Sequence, residues 1–164
     1  MNNENKVSLK KPEIFFLSLC GSGFLPKAPG TWGTLVTTPF VWLFCYLKVP
    51  TVFVIPFYII AFLGSVFLIN FAQKKQGVGD ASWIVVDEAL GFSLMAPFID
   101  GANLIHLALA FLLFRLFDAV KPFPVNWLDN NIKGGLGVIL DDIAAGILSI
   151  IGYKLVFFIS GLLT

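Results

Sequence analysis

Between Pro50 and Ala72 the chain carries no charged side chain. As a helix this stretch would be about 34 Å long, and the hydrocarbon core of a bilayer is about 30 Å thick. A run of that kind is most simply a membrane-spanning helix, and the remaining sequence agrees. Charged residues make up 13% of the 164 residues and hydrophobic ones 57%, with a mean hydropathy of +0.87. Soluble domains carry about 25% charged residues, so this chain cannot cover a water-exposed surface. Disorder would need the opposite composition. A net charge of +1 leaves no basic footprint for nucleic acid. In lipid an open sheet cannot satisfy its backbone groups. The expected class is therefore all-α, a polytopic helical membrane protein.

Five apolar segments are expected: Trp32 to Leu47, Pro50 to Ala72, Ala89 to Ile99, Ala102 to Phe117 and Ile143 to Leu163. That gives about four to five apolar helices. The third segment is too short to cross, so the third and fourth form a short hairpin turning at Asp100-Gly101. Residues 1–13 read as a polar tail on the membrane surface, and 14–164 as a single membrane-embedded domain. Lys and Arg collect on the cytoplasmic side of membrane proteins. Here Lys6, Lys10, Lys11 and Lys27 precede the first segment, Lys74 and Lys75 follow the second, and Lys121 and Lys133 follow the fourth. Those connections are assigned to the cytoplasm. Cys20 and Cys45 suggest no disulfide framework. Gly64 and Gly146 read as close-packing positions between helices, and His106, alone in an apolar segment, as a packing residue.

This parity gathers the polar residues at one edge. There lie the glycine-rich stretch Gly21–Gly33, then Asp87-Glu88 opening the third segment. Arg115, Asp118 and Lys121 end the fourth, and Asp141-Asp142 opens the fifth. Acids this close to hydrocarbon are costly and are usually kept for function. Clustered carboxylates repel one another, and a hard divalent cation such as Mg²⁺ relieves that with oxygen ligands, water and a substrate phosphate. Such a metal polarises a phosphoryl oxygen and activates water. Arg115 and Asp118, three residues apart, share a helix face, and Arg and Lys are the usual phosphate ligands. A glycine-rich loop before a helix presents bare N–H groups to an anion. Each part also has a plainer reading: acids favour helix N-termini, and Arg115–Asp118 can be a structural ion pair. Together they suit a phosphate monoester at the membrane surface.

Four ordered motifs carry a family resemblance. They are Gly21-Ser22-Gly23-Phe24-Leu25-Pro26-Lys27-Ala28-Pro29-Gly30-Thr31-Trp32-Gly33, Ile84-Val85-Val86-Asp87-Glu88-Ala89-Leu90-Gly91, Phe114-Arg115-Leu116-Phe117-Asp118-Ala119-Val120-Lys121-Pro122-Phe123-Pro124, and Gly134-Gly135-Leu136-Gly137 followed by Asp141-Asp142-Ile143-Ala144-Ala145-Gly146. Across about residues 15–152 the chain resembles the phosphatidylglycerophosphatase A family of bacteria. The resemblance implies an all-α enzyme of the bacterial inner (cytoplasmic) membrane. Its substrate would be a phospholipid, phosphatidylglycerophosphate, hydrolysed with Mg²⁺ to phosphatidylglycerol and phosphate.

On that reading Asp87, Glu88, Asp141 and Asp142 hold one or two Mg²⁺. Asp118 joins them or orients the water, and Arg115 and Lys121 bind the phosphoryl oxygens. Lys27 with Gly21, Ser22, Gly23, Gly30 and Thr31 cradles the headgroup. The alternatives are a small membrane transporter or a non-catalytic membrane subunit. A transporter would place charges near the midplane, often with inverted repeats; these charges lie at one edge and no repeat is visible.

Overall fold

The structure is a computed structural model that describes residues 7–76 and 81–162. Among the described residues every regular element is helical: α1 (Pro12–Leu17), α2 (Pro29–Leu47), α3 (Thr51–Gln76), α4 (Val86–Ser93), α5 (Leu104–Val120), α6 (Val125–Asn131) and α7 (Gly134–Leu162). Short 3₁₀ turns span Ser22–Phe24 and Ala96–Phe98. Lys6 and the first part of the expected tail lie outside the described residues. Pro12 and Glu13, read as the end of that tail, instead open α1. Glu13 is buried and pairs with Lys75 of α3 at 3.1 Å.

Among the described residues two helices are long and apolar enough to cross a membrane, over Val52–Lys75 and Gly134–Ile159. This is fewer than the expected four to five. The third segment becomes α4, an eight-residue helix of about 12 Å, followed by the 3₁₀ turn. The expected reversal at Asp100-Gly101 is present, and Gly101 takes a φ of +68° that a residue with a Cβ rarely adopts. Asn103 then caps α5, its side-chain oxygen accepting from the Ile105 N–H at 2.8 Å.

The fifth segment departs most from expectation. The helix starts at Gly134, not Ile143, so Asp141 and Asp142 lie two turns inside it. Gly134-Gly135-Leu136-Gly137 looks like a loop because glycine lowers helix propensity, but packing overrides that cost. A Cβ on Gly135 would come 2.5 Å from the Val66 carbonyl oxygen, and one on Gly137 would strike the Ile132 carbonyl. The Gly135 N–H, unpaired in any helix that starts here, donates to Asn70 Oδ1 on α3 at 2.8 Å. Asn70→Ala removes this cap. The expected loss is about 1 kcal/mol, read as a lower Tm in detergent with kcat/KM nearly unchanged.

α7 is the central mast, packed by α3, α4, α5 and α6. Its contact face carries small residues, Ala144, Ala145, Gly146 and Ser149, which let helices approach closely. The closest approach is to α4. A Cβ on Gly91 would lie 2.5 Å from the Asp142 carbonyl oxygen, and one on Gly146 would strike the Gly91 carbonyl. Gly146 is thus a close-packing glycine as expected. Gly64 is not, because a Cβ there would meet open space. The outward faces are apolar: Phe53, Phe57 and Ile60 on α3, Ile105 on α5 and Phe158 on α7 are all at least 65% exposed. His106 sits at the far end of the bundle from the acids, stacked on Phe157 with Nδ1 2.7 Å from the Tyr153 hydroxyl.

Candidate active site

The backbone contact between α4 and α7 determines where the acids meet. Asp87 precedes Gly91 by one helical turn, and Asp142 precedes Gly146 by one turn. Where the two glycines let the main chains touch, the carboxylates one turn upstream are forced together. One oxygen each from Asp87, Glu88 and Asp142 lies within 4.8 Å of the others. Ligands on opposite sides of a small hard cation would sit about 4.2 Å apart, at metal–oxygen distances of about 2.1 Å. The spacing fits one shared ion, and the donors are all oxygen.

These acids line a pocket of about 220 Å³. Its walls come from Pro29 and Gly30 at the start of α2, Ala81, Ser82 and Ile84, Asp118 and Lys121 at the end of α5, and Val138, Asp141 and Asp142 on α7. Arg115 Nη1 lies 2.7 Å from Asp118 Oδ2, although its N–H direction makes no aligned hydrogen bond. Lys121 Nζ lies 2.9 Å from Asp141 Oδ2 and 3.1 Å from Asp129 Oδ2. Counting Arg115 with the lining, five carboxylates (Asp87, Glu88, Asp118, Asp141, Asp142) against two cations leave an excess of three negative charges.

Burial makes that excess costly. Asp87 is buried, and desolvation, then the charges of Glu88 and Asp142, push its carboxyl well above the ordinary range. Desolvation also raises Glu88, with the charge of Asp118 adding to it. Glu88 Oε2 and Asp141 Oδ1 are buried with no hydrogen-bond donor among the described residues. Buried, unpartnered carboxylate oxygens are what a cation would satisfy. The group can hold a metal ion. Burial opposes the charge on Lys121, but its bonds to Asp141 and then Asp129 outweigh that and raise its pKa above the usual lysine value.

Gly30 has a specific reason to be glycine. A Cβ there would strike Glu88 Oε1 and come 3.1 Å from Arg115 Nη1. The first turn of α2 can thus sit directly on the acid group. The hydroxyl of Thr34, one turn on, donates to the Gly30 carbonyl at 2.8 Å.

A sequence model of the family described as phosphatidylglycerophosphatase A matches residues 15–157. The chain belongs to that family. It is 35% identical over 149 residues to phosphatidylglycerophosphatase A of Escherichia coli, covering 89% of this chain and 84% of the relative. It is 34% identical over 150 residues to the Haemophilus influenzae phosphatidylglycerophosphatase A, covering 92% and 91%. It is also 36% identical over 142 residues to a putative phosphatidylinositol-3-phosphatase of Bacteroides thetaiotaomicron, covering 80% and 84%. No solved structure matches.

In this member of the phosphatidylglycerophosphatase A family the expected site residues fall into two groups. Asp87, Glu88, Asp118, Lys121, Asp141, Asp142 and Gly30 line one pocket, with Arg115 against Asp118. The acids divide unevenly: Asp87, Glu88 and Asp142 form the tight trio, while Asp141 turns one oxygen to Lys121. The other members of the glycine-rich motif, Gly21, Ser22, Gly23, Lys27 and Thr31, are not in the wall. Gly21 takes φ +94° beside Leu9, the Ser22 hydroxyl donates to the Ser18 carbonyl, and a Cβ on Gly23 would strike the Trp83 carbonyl. They shape the loop that carries α2. Lys27 is exposed, with φ +76°. Sequence reasoning missed Asp129, which sits in a short polar helix with nothing to mark it apart from a solvated acid. It also missed Asn70, whose one signal was an amide near the end of the clean apolar run.

Proposed function

We propose that this protein hydrolyses the phosphate monoester of phosphatidylglycerophosphate, giving phosphatidylglycerol and phosphate, with Mg²⁺ as its metal. The observation that carries the reading is the pocket where acids from α4, α5 and α7 meet Arg115 and Lys121, in a chain of the phosphatidylglycerophosphatase A family. Asp87, Glu88 and Asp142, with the oxygen of Asp141 that Lys121 does not bind, would hold the metal. When bound, the ion offsets the buried negative charge and acts as a Lewis acid toward phosphoryl and water oxygens.

The chain's own groups do the rest. Arg115 and Lys121 bind the phosphoryl oxygens, whose charge they match. Asp118, between Arg115 and the Asp142 carboxyl, holds the attacking water in line. That water forms the new P–O bond as the bond to the headgroup glycerol oxygen breaks, and the proton that the water gives up, relayed through Asp118, goes to the departing oxygen. Gly30, lacking a side chain, lets the first turn of α2 rest directly against Glu88 and Arg115 and close that side of the site.

The exposed apolar belt and the two long helices support an integral, multi-pass position in the bacterial inner membrane. Near the pocket end Lys27, Lys74, Lys75, Lys121 and Lys133, with Lys11 beside the Glu13–Lys75 pair, outnumber Lys48 and Lys154 at the other end, which supports a cytoplasmic active site. The diacyl tails then stay in the bilayer during turnover.

The test is phosphate release by the detergent-solubilised full chain. A chelator is expected to reduce turnover of phosphatidylglycerophosphate to background, and added Mg²⁺ to restore it. Full turnover in chelator overturns the metal assignment. No turnover of this lipid, with phosphatidylinositol 3-phosphate cleaved instead, overturns the substrate.

A further inference from the structure

Lys121 stands in an unusual position. It ends α5 in the left-handed region, with φ +46°, so its side chain leaves the helix direction and reaches the pocket wall. There it meets two carboxylates. Asp141 on α7 accepts a hydrogen bond at 2.9 Å, and Asp129 on α6 lies at 3.1 Å. A single surface ion pair would hold a flexible lysine poorly and contribute little. Two pairs from different helices define a direction.

An ammonium has three N–H donors and no acceptor. With one donor committed to Asp141 and a second facing Asp129, the third is fixed in space and left for an anion in the pocket that Lys121 lines. Asp141 is also among the acids read as metal-holding, so its grip on Lys121 competes with that role. Asp129 does not line the acid pocket, so it is not among the acids read as metal-holding. Its removal leaves Lys121, whose side chain is 34% exposed, still paired with Asp141.

We infer that Asp129 is a positioning residue for the reaction: it holds the Lys121 ammonium so that one N–H faces the substrate's phosphoryl group. The inference rests on the phosphatase reading above. α6 gains a purpose from it. The helix is short, follows Pro124, and brings one carboxylate over the end of α5.

The test is a double-mutant cycle on the full chain in detergent, following turnover of phosphatidylglycerophosphate and, separately, the rise in Tm caused by inorganic phosphate with Mg²⁺. Asp129→Asn alone is expected to raise KM by about tenfold, with a smaller change in kcat, and to weaken the phosphate-dependent Tm rise. Asp129→Glu is expected to recover most of the loss. In a Lys121→Met background, Asp129→Asn is expected to have no further effect, because residues acting through one another are not additive. An equal loss in both backgrounds would make Asp129 a structural support and overturn the inference. So would an unchanged KM together with an unchanged phosphate response. If the parent chain binds phosphate and obeys the cycle in Tm but turns over no lipid phosphate, the phosphatase reading fails, and what stands is that Asp129 aims the Lys121 ammonium at a bound phosphate.

Discussion

Asp142→Asn is expected to lower phosphate release by about 10²- to 10³-fold, the usual scale for removing one preorganised charge from an active site, while the fold stays intact. Asn has nearly the same shape, so packing at this position, 4% exposed, is kept. What disappears is one negative charge from the trio with Asp87 and Glu88. Without metal that trio is mutually repulsive, so the variant should melt no lower than the parent, and in chelator somewhat higher. With metal the order reverses, because the parent gains more stabilisation from the ion it binds. The residual activity should need more Mg²⁺ to reach half of its maximum. Unchanged turnover would remove Asp142 from the site. A lost fold, seen as lost helicity after purification, would assign it a structural role.

The second large effect is expected at a residue that carries no charge and does not line the pocket. Gly91→Ala adds one methyl group at the α4–α7 crossing. Its Cβ would lie 2.5 Å from the Asp142 carbonyl oxygen and 2.9 Å from Phe114 Cε2. A backbone oxygen in the middle of a long helix cannot turn aside, so the helices must part. Overpacking of this sort costs about 1–3 kcal/mol. The kinetic cost is expected to be larger, because a shift of about 1 Å in a catalytic constellation can lose about 100-fold. The measurement is kcat/KM together with Tm. A fall in Tm with activity preserved would mean that the acids do not depend on this contact for their spacing.

Much of the candidate site was legible in the chain because its chemistry is local in type. Acids and cations beside hydrocarbon stand out, and the alternation of apolar segments put Asp87, Glu88, Asp118 and Asp142 at one edge. The i, i+3 spacing of Arg115 and Asp118 was enough to foresee their ion pair. The start of α7 could not be read. Four residues containing three glycines look like a turn, and only the nearness of Val66 and Ile132 explains why helix wins there. The division of labour within Asp141-Asp142 was hidden for a related reason. Adjacent residues on a helix point about 100° apart, so one acid joined the trio and its neighbour faced Lys121. Asp129 gave no signal, since its partner lies on another helix. The glycine-rich motif was read as a headgroup cradle throughout, whereas the structure puts Gly30 alone of its called residues in the pocket wall.

The contact at Gly91 and Gly146 is main chain against main chain. A frame set in this way has no adjustable rotamer, so the gap between the carboxylates is inherited with the crossing itself. A change from one phosphorylated lipid to another would then have to be written at lining positions outside that crossing, such as Ala81 and Ser82, while the spacing of the acids stays as the crossing sets it.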